Sequence, residues 1–347
     1  MKQRLIGGLA AVATALTLTA CGGGAAEPEE SAGTGAEGGA PSVANVINGP
    51  LGDQGFFDDA ARGMAEMEKA GSKIQNIQAD ANNPAQWKAN LESVSTGDWD
   101  YVITGTSQMV DILDEAAQKY PDQSYILYDS VVEQPNVASI TYAQNEGSFL
   151  AGVLAAQVTT NPDKFEHATG SKKVGLVGGM DIPVINDFVE GFKAGVEAVD
   201  PSVEVLVSYV GDFVDSNKGF DQAKVMYDQG ADVVFQVAGG AGIGVLKAAE
   251  DTQHYAIGVD SNQNGLHEGY ILASMLKNIG ASLKSAVDAA AAGELKFGET
   301  TPYGLANDGV GLVFDDNGGI VPDDIQAEVD AYAKKVVDGE ITVPTAL

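Results

Sequence analysis

The sequence predicts an α/β fold made of two doubly wound parallel-sheet lobes with a hinge between them. Three observations point there. Apolar runs alternate with amphipathic helical stretches, the scheme recurs in two successive halves, and a glycine-rich strand-to-helix unit stands at 174–195. In VGLVGGMDIPVINDFVEGFKAG, Val174, Leu176 and Val177 suit a strand buried on both faces, and Gly178-Gly179 break it. Asp181 and Pro183 stand where a helix begins, and Val184, Phe188, Phe192 and Val196 recur at the spacing of one buried face. Open α/β sheets bind ligands at the carboxyl ends of their strands, so Met180–Asp187 is the first place to look for a site.

Before the first strand the 347-residue chain carries a leader and a linker. Residues 1–20 hold Lys2 and Arg4, an apolar run through Leu18, and a close at Leu18-Thr19-Ala20-Cys21. This is the form of a secretory signal peptide rather than of a membrane span. Leu-Thr-Ala-Cys resembles the bacterial lipobox, which implies a lipid anchor on Cys21 and a place on the extracytoplasmic face of the cell membrane. Cys21 is the only cysteine, so the body has no disulfide, no cysteine nucleophile and no cysteine-based metal site. Residues 21–42, rich in Gly, Ala, Glu and Ser, read as a solvated leash that spans about 25 Å as a flexible coil.

Beyond the leash, Ser42–Ile47 predicts the first strand and Phe57–Lys69 the first helix. Strand 73–78, helix 84–96, strand 101–103, helix 107–119 and strand 124–128 follow. Val137–Thr141 reads as an edge strand of this lobe, and helix 146–158 begins the second. There the scheme repeats as strand 173–177, helix 184–198, strand 203–210, helix 217–229, strand 232–237, helix 241–250 and strand 255–259, with further helices over 281–292 and 322–337. No long linker separates the halves. Candidate crossings near Tyr142, Met275–Asn278 and Ala306–Gly309 assign 43–142 plus about 278–307 to an N-terminal lobe. They assign 143–277 plus about 308–345 to a C-terminal lobe. Several crossings make a hinge rather than a tether, a geometry for closing on a small solute.

The net charge of −30 argues against a nucleic-acid partner, since no basic stripe is present to neutralise phosphates. After the leader Arg62 is the only arginine, so a carboxylate or phosphate ligand would lack its usual bidentate fork. That favours a neutral ligand. His167, His254 and His267 are scattered, without the spacing of a zinc site or of a Ser-His-Asp arrangement. No catalytic constellation, metal site or cofactor is expected, and the chain is not read as an enzyme. The run AGGAGIG at 238–244 departs from G-x-G-x-x-G and lacks a Walker lysine. Gly239 in it belongs to a tight turn that lets backbone approach a ligand.

Six segments carry a family resemblance: GDQGFFDDAARGM (52–64), NEGSFLAGVLAA (145–156), VGLVGGMDIPVINDFVEGFKAGVEAV (174–199), YDQGADVVFQVAGGAGIGVLKAAE (227–250), YAIGVDSNQN (255–264) and SMLKN (274–278). Together they resemble the basic membrane protein family of bacterial solute-binding lipoproteins, whose best-understood members are purine-nucleoside receptors of ABC importers. The resemblance runs over about residues 43–295 and implies a type I periplasmic-binding-protein fold. It also implies roles. Asp53 and Phe56 match an Asp-x-x-Phe in which the ring packs on the nucleobase and the acid reaches a polar group of base or ribose. The family usually has Asn where this chain has Phe57. Asp129, closing ILYD, faces the cleft from one lobe and Asn186 from the other, while Phe213 supplies a second ring. Asp260, ending YAIGVD, and Lys277, in SMLK, resemble the ribose-binding pair.

Taken singly, these residues have commoner structural roles. Phe56, Phe57 and Phe213 suit a core or a helix staple, the three aspartates suit caps and turns, and Lys277 suits a solvated helix face. Convergence at strand ends and a crossing segment is what makes a cleft of them. A purine between rings gains about 0.5–1.5 kcal/mol from stacking beyond burial, and a carboxylate beside an ammonium can hold a vicinal diol. Three carboxylates against one lysine would repel a phosphate, so nucleosides are expected over nucleotides. The expected protein is a monomer that captures a nucleoside, purine above all, and delivers it to an ABC permease driven by a separate ATPase. A ribose-type sugar receptor, a ligand sensor of the same fold and a surface nucleoside hydrolase are the rival readings.

Overall fold

A computed structural model describes residues 39–347; the leader, Cys21 and most of the leash lie outside the described residues. Two six-stranded sheets carry the body. The first holds β1 (Ser42–Val46), β2 (Lys73–Ile77), β3 (Tyr101–Gly105), β4 (Tyr125–Tyr128), β5 (Val137–Tyr142) and β11 (Thr300–Tyr303). Its order is β11-β5-β4-β3-β1-β2, parallel throughout. The second holds β6 (Lys173–Gly178), β7 (Glu204–Tyr209), β8 (Val233–Val237), β9 (Tyr255–Asp260), β10 (Ile271–Lys277) and β12 (Val310–Val313). It repeats the order as β12-β10-β9-β8-β6-β7, with β12 alone antiparallel. Both sheets are therefore doubly wound with their chain order reversing beside the first strand, at β1/β3 and at β6/β8, where such sheets open a crevice.

Burial explains why these runs become strands. Val43, Ala44 and Val46 of β1 and all of VVFQV in β8 are buried, as central parallel strands covered on both faces must be. Helices α1 (Phe56–Lys69), α2 (Pro84–Val94), α3 (Val110–Lys119) and α8 (Ile279–Ala291) accompany the first sheet. Helices α4 (Gln144–Thr160), α5 (Pro183–Val199), α6 (Ser216–Asp228), α7 (Gly242–Thr252) and α9 (Asp323–Val337) accompany the second. Helix α4 is buried nearly all round, apolar through Phe149–Ala156 and polar toward its two ends. It lies against α5 at backbone distance, since a Cβ on Gly195 would come 2.0 Å from the Phe149 carbonyl oxygen.

The chain passes from one sheet system to the other between Tyr142 and Gln144, between Lys277 and Ile279, and between Tyr303 and Val310. Two sequence expectations change here. Val137–Thr141 is not an edge strand, because β11 pairs with it in parallel on its outer side. The crossing expected near Met275–Asn278 is confined to Asn278, because Met275, Leu276 and Lys277 are still paired in β10 with β9 and β12, a strand the periodicity did not announce. β10, β11 and β12 were not expected from sequence; of β11 and β12 the reason is plain. Thr300-Thr301-Pro302 is exposed, so no apolar face announces it, and both strands are only four residues long.

Candidate ligand-binding site

The strand ends of both sheets converge on a cavity of about 330 Å³, at the lower end of the range that holds small ligands. From the first lobe, the loop after β1 contributes Asn48 to Asp53 and then Phe56 and Phe57 at the start of α1. Two aspartates shape that loop. Asp53 accepts from the backbone N–H groups of Gly55, Phe57 and Asp58 at 3.1, 2.8 and 3.1 Å, and Asp58 accepts from those of Gly52 and Gln54. The N-terminal turn of α1 is thus capped by its own loop. Phe56 and Phe57 meet edge to face at 5.3 Å, and Phe56 tilts over Tyr128 at 5.5 Å. Phe57 covers Gly49, where a Cβ would stand 2.6 Å from its ring.

Further along the same wall, β3 runs into Thr106, whose φ of 77° and ψ of 151° lie in a region that only glycine occupies freely. Its hydroxyl donates to Asn48 Oδ1 at 3.3 Å, and Asn48 Nδ2 donates to Gln108 Oε1 at 3.2 Å. The opposite wall is apolar at its outer part. Met180, Ile182, Val184, Ile185 and Phe188 come from the turn after β6 and the start of α5. Phe213, after β7, lies against Gly179, where a Cβ would be 2.3 Å from the ring. Gly239, left-handed at φ 54°, and Gly240 follow β8 against the Phe213 backbone.

At the hinge side the cavity turns ionic. Asp129 follows β4, and Asp260 and Lys277 end β9 and β10; β5 and β10 lead into two of the crossings. Lys277 is 1% exposed, pairs with Asp129 and lies 5.2–5.6 Å from the ring centres of Phe56, Tyr142 and Phe188. Burial pushes the Asp260 carboxyl up to about 8; Lys277 opposes the rise, and Asp53, Asp129 and Asp59 add to it. Burial also raises Asp129 against the pull of Lys277, and raises Asp53 against its three backbone donors. The site therefore joins two acids and a buried ammonium to aromatic rings, with the Phe56 and Phe188 rings directly beside the ammonium and Phe57, Phe213 and amides completing the lining.

The structure gathers Asp53, Phe56, Phe57, Asp129, Phe213, Gly239, Asp260 and Lys277 around one cavity. Asn186 is not among the lining residues. Its amide donates to Asp181 at 2.9 Å and accepts from the Tyr209 hydroxyl at 2.5 Å, because Val184, Ile185 and Phe188 hold the face of α5 that meets the cleft. The turn Met180–Asp187, expected from sequence to hold a site, does supply the wall around Ile182, whereas Asn48, Thr106 and Gln108 were not singled out from sequence. Only their position after strands marked them, and that signal is shared with every βα turn.

Residues 40–346 match the family Bmp, described as ABC transporter substrate-binding protein PnrA-like. The chain belongs to the Bmp family. A CD4+ T-cell-stimulating antigen of Listeria monocytogenes is 32% identical, over 87% of this chain and 88% of that one. The ABC transporter nucleoside-binding protein BmpA of Lactococcus lactis is 30% identical over 87% of each. A solved ABC transporter solute-binding protein from Aeropyrum pernix superposes with a TM-score of 0.79 at 26% identity, covering 88% of this chain and 94% of that one. As a Bmp protein, the chain is a substrate-binding protein of an ABC transporter with the periplasmic-binding-protein fold, and that family and fold are of solute-binding proteins rather than enzymes. Among the described residues no helix is long and apolar enough to cross a membrane.

Proposed function

We propose that the cleft captures a nucleoside, purine in preference, and that the protein presents it to the permease of an ABC importer while held to the extracytoplasmic face of the membrane through a lipid on Cys21. The observation that carries this is a cavity that joins an ionic group to aromatic rings. Asp260, Asp129 and Lys277 offer acceptors and donors to a vicinal diol, the Phe56 ring stands beside the ammonium, and Phe57 and Phe213 offer further faces to a flat base. A free sugar would fill the ionic end and leave the further rings uncovered. The Lactococcus relative is named for nucleoside binding, which agrees. A nucleotide is disfavoured. Lys277 is already paired with Asp129, the lining adds Asp53 and Asp212, and Asp260 supplies no positive charge, so a phosphate would meet no free cation among the described lining residues.

Titration calorimetry of the full chain with inosine, guanosine, adenosine, cytidine, uridine, the corresponding monophosphates, and ribose and arabinose tests this reading. Heat is expected with nucleosides, strongest for purines, and none with monophosphates. Heat with a free sugar and with no nucleoside would transfer the assignment to sugars.

A further inference from the structure

Several side chains that join the two lobes lie outside the cavity lining. Gln263, buried in the turn after β9, donates through Nε2 to the Gln54 carbonyl oxygen of the first lobe at 3.1 Å. Ser261 lies 3.3 Å from the Gly55 carbonyl oxygen, and Arg62 on α1 donates to the Ser261 hydroxyl at 2.6 Å. Gln54 and Gly55 are the residues between Asp53 and Phe56, so the second lobe grips the backbone of the loop that brings the ligand-facing aromatic rings.

The grip is set before the lobes meet. Gln263 Oε1 accepts from Gln236 Nε2 at 2.8 Å and from the Val259 backbone N–H at 3.0 Å, and the Gln263 backbone N–H donates to Ser274 Oγ at 3.0 Å. All of these partners belong to the second lobe, so the amide is fixed there with its nitrogen presented outward, and little rotamer entropy remains to be lost on closure. On the other side Asp59 holds Arg62 at 2.7 Å and accepts from the Gly280 backbone N–H at 2.8 Å. Gly280 opens α8 just past the hinge residue Lys277, and α1 meets α8 there so closely that a Cβ on Gly63 would stand 2.4 Å from the Gly280 carbonyl oxygen. The arginine, the ligand loop and a hinge crossing therefore move as one body.

We infer that Arg62, Ser261 and Gln263 form a latch that holds the closed cleft without touching the ligand, acting as positioning residues that set how long a captured solute stays. The proposal rests on the interlobe cavity being the ligand site and not on which solute fills it. Closure favoured by such contacts raises apparent affinity by raising the population of the binding-competent form, and its loss shows mainly in dissociation.

The test uses the full chain with Arg62→Ala, Ser261→Ala, Ser261→Thr and Gln263→Met. Small-angle scattering reports lobe closure and hydrogen exchange of the 51–58 segment reports the grip, both without ligand, so these readouts stand even if nucleosides do not bind. Stopped-flow dissociation is added with the tightest nucleoside found. Arg62→Ala and Ser261→Ala are expected to widen the molecule, speed exchange in 51–58 and hasten dissociation about two- to tenfold each, as for one hydrogen bond lost. Association should be unchanged, and Ser261→Thr should restore all three readouts. Gln263→Met should act in the same direction with a melting temperature within a few degrees of the parent. Unchanged scattering and exchange in Arg62→Ala and Ser261→Ala would overturn the latch whatever the ligand proves to be. An effect confined to melting temperature would make these residues structural only and would overturn it too.

Discussion

In the first lobe β3 runs into Thr106 and β4 into Asp129; at the matching places of the second sheet, β8 runs into Gly239 and β9 ends at Asp260. All of these residues have positive φ, 77° and 65° in the first lobe and 54° and 65° in the second. The two lobes thus make the same backbone demand, a positive-φ step that turns the chain out of a parallel strand over the cleft, and meet it with the same residue at Asp129 and Asp260 but with different ones at Thr106 and Gly239. At the next strand out the divergence is complete. β5 ends in Tyr142 and β10 ends in Lys277, and the two side chains lie 5.2 Å apart as ring and ammonium. The repeated scaffold fixes where residues stand: the matched aspartates keep the repeat and face one cleft, and the single ammonium comes from a position where the repeat is broken.

The most severe way to break this comparison is to remove the one-sided charge. Lys277→Met leaves Asp129 buried and unpaired and takes from Asp260 the cation that opposes its raised pKa. Stripping one partner from a buried pair costs about 3–5 kcal/mol, so the melting temperature should fall by many degrees and nucleoside binding should vanish. The counterpart change, Tyr142→Phe, removes only a hydroxyl that meets Ser282 Oγ at 2.5 Å. It should cost about 1 kcal/mol. Equal losses in the two variants, read by chemical denaturation, would mean that the ionic end is not specialised.

The matched aspartates sharpen the comparison by pH. Asp260 holds its proton to about 8 in the folded protein against a carboxyl value of 3.8. Between those values the folded state binds the extra proton, so its contribution to stability is full below about 4, declines as pH rises toward 8, and is flat above. Asp260→Asn should remove that decline from the unliganded protein, making the variant relatively more stable the higher the pH within this window. Asp129 shares the burial but has an ion pair to Lys277 opposing it, and Asp129→Asn should flatten the profile less. Thermal melts of the parent and both variants from pH 4 to 9 give the answer; a parent profile that the two substitutions alter identically would erase the asymmetry.

How much of this could be read from sequence follows from the same distinction. The βα alternation was legible because central parallel strands, buried on both faces, write themselves as apolar runs such as VVFQV. The charged end of the cleft was marked by the family resemblance rather than by residue type, since taken alone the aspartates suit caps and turns and Lys277 suits a solvated helix face, whereas the structure buries Lys277 at the end of β10. Asn186 was misjudged because a loop position does not tell which face of the following helix turns to the cleft; the apolar Val184, Ile185 and Phe188 took that face. Asp53 was foreseen as a ligand group, yet its carboxylate is largely occupied in capping α1. Thr106 and Asn48 carry no sequence signal of their own, because strain and an amide network are properties of the folded turn.

The smallest expected effect is also the cleanest comparison, since it concerns backbone alone. Gly239 takes its φ of 54° at no steric cost, whereas Thr106 is β-branched and is held at φ 77° and ψ 151°. Gly239→Ala should therefore destabilise by about 1 kcal/mol, the usual cost of a Cβ in left-handed backbone. Thr106→Gly should go the other way. It relieves strain of about 1–3 kcal/mol, part of which returns as roughly 0.5–1 kcal/mol of added unfolded-chain entropy together with the loss of one long hydrogen bond to Asn48. A net gain in denaturation midpoint with weaker ligand binding is the expected pairing. Strain retained at Thr106 is then explained by the hydroxyl it places in the cleft, and the second lobe, which asks only for backbone approach at Gly239, has no use for such a side chain. A Thr106→Gly variant that loses stability as Gly239→Ala does would show that the turn is not strained in the first lobe, and the contrast between the two strand ends would reduce to residue size.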